Sequence, residues 1–173
     1  MPPDRIISFD LETAAPHDHI VEIGCIEIIG GCIGRSYHAL VRPAVSTHWA
    51  CYRTHGLSDA RLSYEPCFAE LVHDFADFVG DSPFLCHNAS YERRVLRQEM
   101  DRLDMVGWQD EEFFCTWKMA RKSGLSYRNG LRPVCEQFGI SICERRPGYH
   151  DALNDALMCA EVYLRLCDLG YKL

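Results

Sequence analysis

The stretch between residues 6 and 41 most constrains what this chain can fold into. Ile20 to Ile29 is rich in β-branched residues, Gly30-Gly31 supplies turn chemistry, and Cys32 to Val41 can return alongside, which together read as an antiparallel hairpin. Ahead of it, the short apolar run Ile6 to Phe9 ends in Asp10-Leu11-Glu12. That run reads as a buried strand with polar residues emerging at its carboxyl end. Three strands therefore precede any strong helix.

Pro66 suits a first helical position, and Phe68, Leu71, Val72, Phe75 and Val79 follow at helical spacing until Gly80. Phe84-Leu85-Cys86 reads as a short strand leading into His87-Asn88-Ala89, with Ser90 as the N-cap of a helix to about Leu103. Phe113 to Thr116 reads as a last strand. Short helices near Trp117 to Arg121 and Leu131 to Phe138 follow, separated by a Gly/Ser/Tyr/Asn loop. The final helix starts near Asp151, with Leu153, Ala156, Leu157, Ala160 and Leu164 as its apolar stripe. This order predicts an α/β sandwich, a mixed sheet flanked by helices. A length of 173 residues, 47% hydrophobic and 25% charged, suits one domain spanning 1–173 and excludes disordered, collagen-like and fibrous classes.

Charge narrows the function. Eighteen basic against 25 acidic side chains leave a net −7, the wrong sign for a protein that holds nucleic acid through a broad basic surface. A polyanionic substrate would need a local Arg/Lys cluster or bound cations. The ten cysteines form no Cys-x-x-Cys pair, and the Met-Pro-Pro-Asp-Arg start does not resemble a secretory signal. Reduced, mostly buried thiols in a cytoplasmic protein are expected, without a membrane span.

Asp10 and Glu12 lie two apart on a strand, so both project from one face and can share a cation. With 25 acids in 173 residues, about one Asp-x-Glu arises by chance, but this one sits where open α/β sheets place their ligand sites. His150 and Asp155 form a second pair. Asp151 can cap the final helix, Asp155 then falls near its first turn, and His150 stays in an exposed, mobile loop as a titrating base. The alternative makes Asp151 a cap, Asp155 a helix-dipole charge and His150 a solvated loop residue. Glu92 follows Asn88 by four on a helix whose face continues through Leu96 and Leu103 towards the core; its alternative is a rim charge favouring the helix N-terminus. Brought to one sheet edge, four carboxylates would repel and raise one another's pKa. Oxygen ligands without thiolates favour Mg²⁺ or Mn²⁺, and two such ions cancel the four charges and attract phosphate.

These motifs, in this order, resemble the DEDDh (DnaQ-like) family of 3′–5′ exonucleases, on an RNase H-like fold. Phe9-Asp10-Leu11-Glu12-Thr13, His87-Asn88-Ala89-Ser90-Tyr91-Glu92 and His150-Asp151-Ala152-Leu153-Asn154-Asp155 match its three motifs, with secondary matches at Ile20-Val21-Glu22-Ile23-Gly24 and His55-Gly56-Leu57-Ser58. His38 to Pro43 and Ala89 to Leu96 look similar to the exonuclease X branch. The resemblance implies two-metal hydrolysis of a terminal phosphodiester: Asp10 bridging two cations, Glu12 and Asp155 holding the first, Glu92 the other, and His150 taking a proton from the attacking water. It also implies a terminal-nucleotide pocket lined by Leu11, Thr13, Ala14, His55, Asn88 and Tyr91. Glu92 departs from the pattern, which carries Asp there.

The expected substrates are single-stranded or frayed 3′ ends of DNA, with RNA trimming as the runner-up. A non-catalytic module that binds nucleic-acid ends or a protein partner is the reading from a different class. Arg145 and Arg146 are candidate phosphate contacts upstream of the cleaved bond, with Arg128 and Arg132 nearby, whereas Arg93 and Arg97 suit a solvated helix face.

Overall fold

The computed structural model describes residues 3–16, 18–108, 112–124 and 130–171. Strands β1 (Arg5–Ala15), β2 (Asp18–Ile29) and β3 (Cys32–Leu40) come first, then helices α1 (Trp49–His55), α2 (Asp59–Leu62) and α3 (Phe68–Val79). The remaining elements are β4 (Phe84–Cys86), α4 (Ala89–Arg102), β5 (Phe113–Cys115), α5 (Thr116–Lys122), α6 (Leu131–Phe138) and α7 (Ala152–Asp168). The sheet has the order β3-β2-β1-β4-β5. β1 to β3 form an antiparallel meander, whereas β4 and β5 run parallel to β1. The mixed, helix-flanked sheet expected for an RNase H-like fold is therefore present.

Chain direction across this sheet reverses at β1, which has β2 on one side and β4 on the other. Such a switch point opens a crevice at the carboxyl ends of the adjoining parallel strands. Because a strand's side chains alternate, Ile7, Phe9 and Leu11 enter one core with α3 and α4, while Ile6 faces the other with α5, α6 and α7. Ser8, on the same side as Ile6, donates its hydroxyl to the Ala156 carbonyl of α7 at 2.7 Å. Phe9, Phe75, Phe84 and Trp108 pack their rings in the first core, with Phe84 and Trp108 edge-on at 5.2 Å.

Several local expectations change. β1 runs on through Thr13 to Ala15 because β2 keeps pairing with it; the register skips Val21, so Glu12 opposes Glu22 and Thr13 opposes Ile20. Pro66 stands outside α3, whose N-cap is Cys67 in a capping box with Glu70. Ser90 is inside α4, and Asn88 occupies the N-cap position. On α7, Ala156 and Ala160 are buried as expected, but Leu153, Leu157 and Leu164 are only partly buried, while Met158, Cys159, Val162 and Leu166 are fully enclosed. The stripe is rotated because this helix lies between the sheet and α5 and α6. Hydrophobic spacing does not reveal α1 and α2: seven and four residues are too few to show periodicity, and side-chain caps from His48 and Ser58 hold them. All ten cysteines are unpaired, four of them buried and Cys32 exposed. No described helix is long and apolar enough to cross a membrane.

Candidate active site

The convergence of acids depends on a missing side chain. Gly24 pairs with Asp10 across the hairpin, and a Cβ at Gly24 would lie 2.2 Å from the Ala152 carbonyl group. The first turn of α7 therefore sits directly on β2, beside Asp10 and Glu12. Asp151 caps that helix by accepting from the Asn154 N–H at 3.1 Å, and Asp155, one turn on, is 5% exposed. Both halves of the capping expectation hold.

His150 is less free than expected. Its N–H donates to the Thr54 carbonyl at 2.8 Å, tying the loop to α1, and its Nδ1 lies 3.0 Å from Asp155 Oδ2 and 3.9 Å from a Glu12 carboxylate oxygen. Glu12, His150 and Asp155 thus present ligand atoms within 4.8 Å of one another. Glu92 is 5% exposed, so it is no rim charge; α4 turns it inward.

The electrostatics are those of acids crowded together away from water. Withdrawal from water raises the Asp10 pKa well above its ordinary value, and the charges of Glu92, Asp155 and Glu12 add to this. Glu12 is pushed up to about 8, chiefly by burial, with His150 opposing. Burial and then Glu12 raise Glu92, against a hydrogen bond with Asp10. His150 is raised by its hydrogen bond to Asp155, against its own burial. Glu92 Oε2 and Asp155 Oδ1 are buried acceptors without a hydrogen-bond partner. Buried carboxylate oxygens that repel one another and lack donors fit hard divalent cations.

Beside the cluster lies a cleft of about 270 Å³, walled by Glu12, Thr13, Cys51, Thr54, His55 and Tyr91 among others. The Thr13 and Tyr91 hydroxyls meet at 2.9 Å. His55 is buried, with Nε2 donating to the Thr13 carbonyl and Nδ1 accepting from the Leu57 N–H, so it fixes the wall and has no ring nitrogen left for a ligand. Leu11 and Ala14 do not line the cleft with their side chains: both are buried, Leu11 in the first core and Ala14 against Val21, Leu57 and Leu62. β1 continues through both positions to Ala15, and the strand turns their side chains inward. Asn88 is exposed at the start of α4 and accepts from the Ser90 hydroxyl.

Glu22, present in the sequence only within a secondary match, supports the site. Glu22 is fully buried; it accepts from the Ala152 N–H at 3.2 Å, contacts His38 Nε2 at 2.8 Å, and pairs with Arg145. It joins β2 to the first residue of α7. The signal was available, since an acid inside a β-branched run requires a partner. Arg145 is accordingly not a free phosphate contact: it pairs with Glu22 and with Asp151. Arg146 stacks over Tyr149 at 4.0 Å, Arg132 pairs with Glu144, and Arg128 lies outside the described residues.

Comparison with known proteins agrees with this geometry. The exonuclease family model RNase T matches residues 7–163. The DNA polymerase III epsilon subunit of Rickettsia conorii is 32% identical over 170 residues, covering 94% of this chain and 73% of that protein. That of Haemophilus influenzae is 30% identical over 175 residues, covering 95% and 68%. In fold, the chain is similar to Exonuclease X in complex with 5′-overhanging duplex DNA, with TM-score 0.76 at 24% identity over 97% of this chain and 93% of that one. It is also similar to the nuclease domain of 3′hExo, a DEDDh family member bound to rAMP, with TM-score 0.80 at 15% identity over 98% of each. The exonuclease X likeness thus extends to the fold, while these relatives in sequence are epsilon subunits. A family match spanning nearly the whole chain, over acids that the fold gathers at one sheet edge, means that the chain belongs to the DnaQ-like DEDDh family of 3′–5′ exonucleases.

Proposed function

We propose that residues 1–173 form one nuclease domain that removes 5′-mononucleotides from the 3′ ends of DNA, preferring single-stranded or frayed ends, with two Mg²⁺ or Mn²⁺ ions. The observation that carries this reading is the gathering of Glu12, His150 and Asp155 within 4.8 Å, with the charges of Glu12, Asp155 and Glu92 acting on Asp10, beside a cleft lined by Tyr91 and α1. Glu12 and Asp155 would hold one cation, Asp10 would bridge, and Glu92 would hold the second. Bound there, the pair would stabilise the incoming and leaving oxygens of the phosphodiester.

The chain's own residues supply the rest. With Nδ1 directed at the Asp155 carboxylate, the neutral His150 ring keeps Nε2 free to take a proton from the attacking water. Tyr91 offers an apolar ring on which the terminal base stacks, and its hydroxyl is steadied by Thr13. DNA is favoured over RNA because relatives at 30 to 32% identity are subunits of a DNA polymerase.

End-labelled single-stranded DNA, duplex DNA and RNA, digested with each metal, test this reading. The expected result is progressive shortening from the 3′ end with release of 5′-mononucleotides, fastest on single-stranded DNA and abolished by Asp10→Ala. Efficient cleavage of circular single strands, or full activity of Asp10→Ala, refutes it; binding without release would establish the non-catalytic module.

A further inference from the structure

The outer face of α1 carries chemistry that the acid cluster does not use. Ala50, Cys51, Thr54 and His55 wall the cleft. On a helix, residues three and four apart are neighbours, so positions 49, 52 and 53 share one surface and 53 lies beside 50 of the cleft wall. That surface holds Trp49, 65% exposed, and Tyr52, 37% exposed; among the described residues the other strongly exposed aromatic is Tyr64. The Arg53 guanidinium stands 5.8 Å from the Trp49 ring centroid, and the His48 ring lies 5.6 Å from it. Two exposed rings and a guanidinium therefore sit on the reverse of the cleft wall.

We propose that this face receives the single strand upstream of the 3′ terminus, with bases stacking on Trp49 and Tyr52 and a phosphate meeting Arg53. The inference rests on the exonuclease reading and adds the path of the strand to it. A strand whose last nucleotide fills the cleft leaves across its rim, and α1 is continuous from the cleft to this face. Stacking also suits a chain of net charge −7, because a base's π-face is held by an aromatic ring without a broad basic surface.

Steady-state kinetics on two substrates test it: a long oligothymidylate and the p-nitrophenyl ester of thymidine 5′-monophosphate, which fills only the cleft. Trp49→Ala is expected to raise KM for the oligonucleotide roughly tenfold, the range of one lost stacking contact, with little change in kcat; the ester is affected far less, and Trp49→Phe restores most of the loss. An unchanged oligonucleotide KM, or an equal loss on both substrates, overturns the proposal. Loss of a dimer with unchanged KM would make the face a self-association surface and overturn it as well. Anisotropy of labelled oligothymidylate in chelator separates the two readings. A parent inactive on both substrates refutes the exonuclease reading, whereas weakened oligonucleotide binding by Trp49→Ala still supports the face.

Discussion

Replacing Glu12 by Gln should stabilise the metal-free protein while destroying its activity. In the fold, Glu12 releases its proton at about 8 against an ordinary 4.5. Between those values the native protein holds a proton that the unfolded chain has lost, so the contribution of Glu12 to stability falls as pH rises through the window. At about 1.36 kcal/mol per pH unit, the gap sets a ceiling of roughly 5 kcal/mol near pH 8. Relaxation and water entry reduce such penalties, and a gain of about 2 kcal/mol, or roughly 4–8 °C in Tm for a domain of this size, is expected. Glutamine keeps the shape and carries no titrating proton. Thermal unfolding in chelator at pH 4.5 and pH 8, for parent and Glu12→Gln, provides the assay: the advantage of the variant should be small at the lower pH and large at the higher. Adding Mg²⁺ or Mn²⁺ should close the gap by stabilising the parent. A variant no more stable than the parent at pH 8, or favoured equally at both pH values, would refute the account of a self-repelling site.

The remaining predictions concern neighbouring residues. Gly24→Ala drives a methyl group into the Ala152 backbone and should cost about 3 kcal/mol in denaturant unfolding, with loss of hydrolysis as α7 shifts; a normally stable, active variant would show that the helix has room. His150 is raised above its usual 6.5 by Asp155, and a base must be neutral. The acidic limb of the kcat profile should therefore rise with pH at a midpoint above 6.5, and His150→Ala retaining both the limb and full rate would point to another base. Glu92→Gln should sharply lower turnover with both metals, while Glu92→Asp stays active and improves with Mg²⁺, because a shorter carboxylate restores the family's ligand at that position. Kinetics of Glu92→Gln unchanged with both metals would show that this buried carboxylate is not part of the site.

Sequence by itself determined the elements whose cause is local. The β-branched run with Gly30-Gly31 specifies the hairpin, apolar spacing specifies α3, and the two-residue interval of Asp10 and Glu12 puts them on one sheet face. The capping role of Asp151, and with it the inward position of Asp155, follows from neighbours three and four residues away. Only the tertiary structure decided what depends on distant partners. Leu11 and Ala14 turn into the core because β1 continues past its acids, and His55 is engaged on both nitrogens by β1 and its own loop. Arg145 is drawn from phosphate duty to a carboxylate 123 positions earlier. A buried charge takes the nearest opposite charge in space, and nearness across such an interval comes from the packing of α7 on Gly24, which no local pattern encodes.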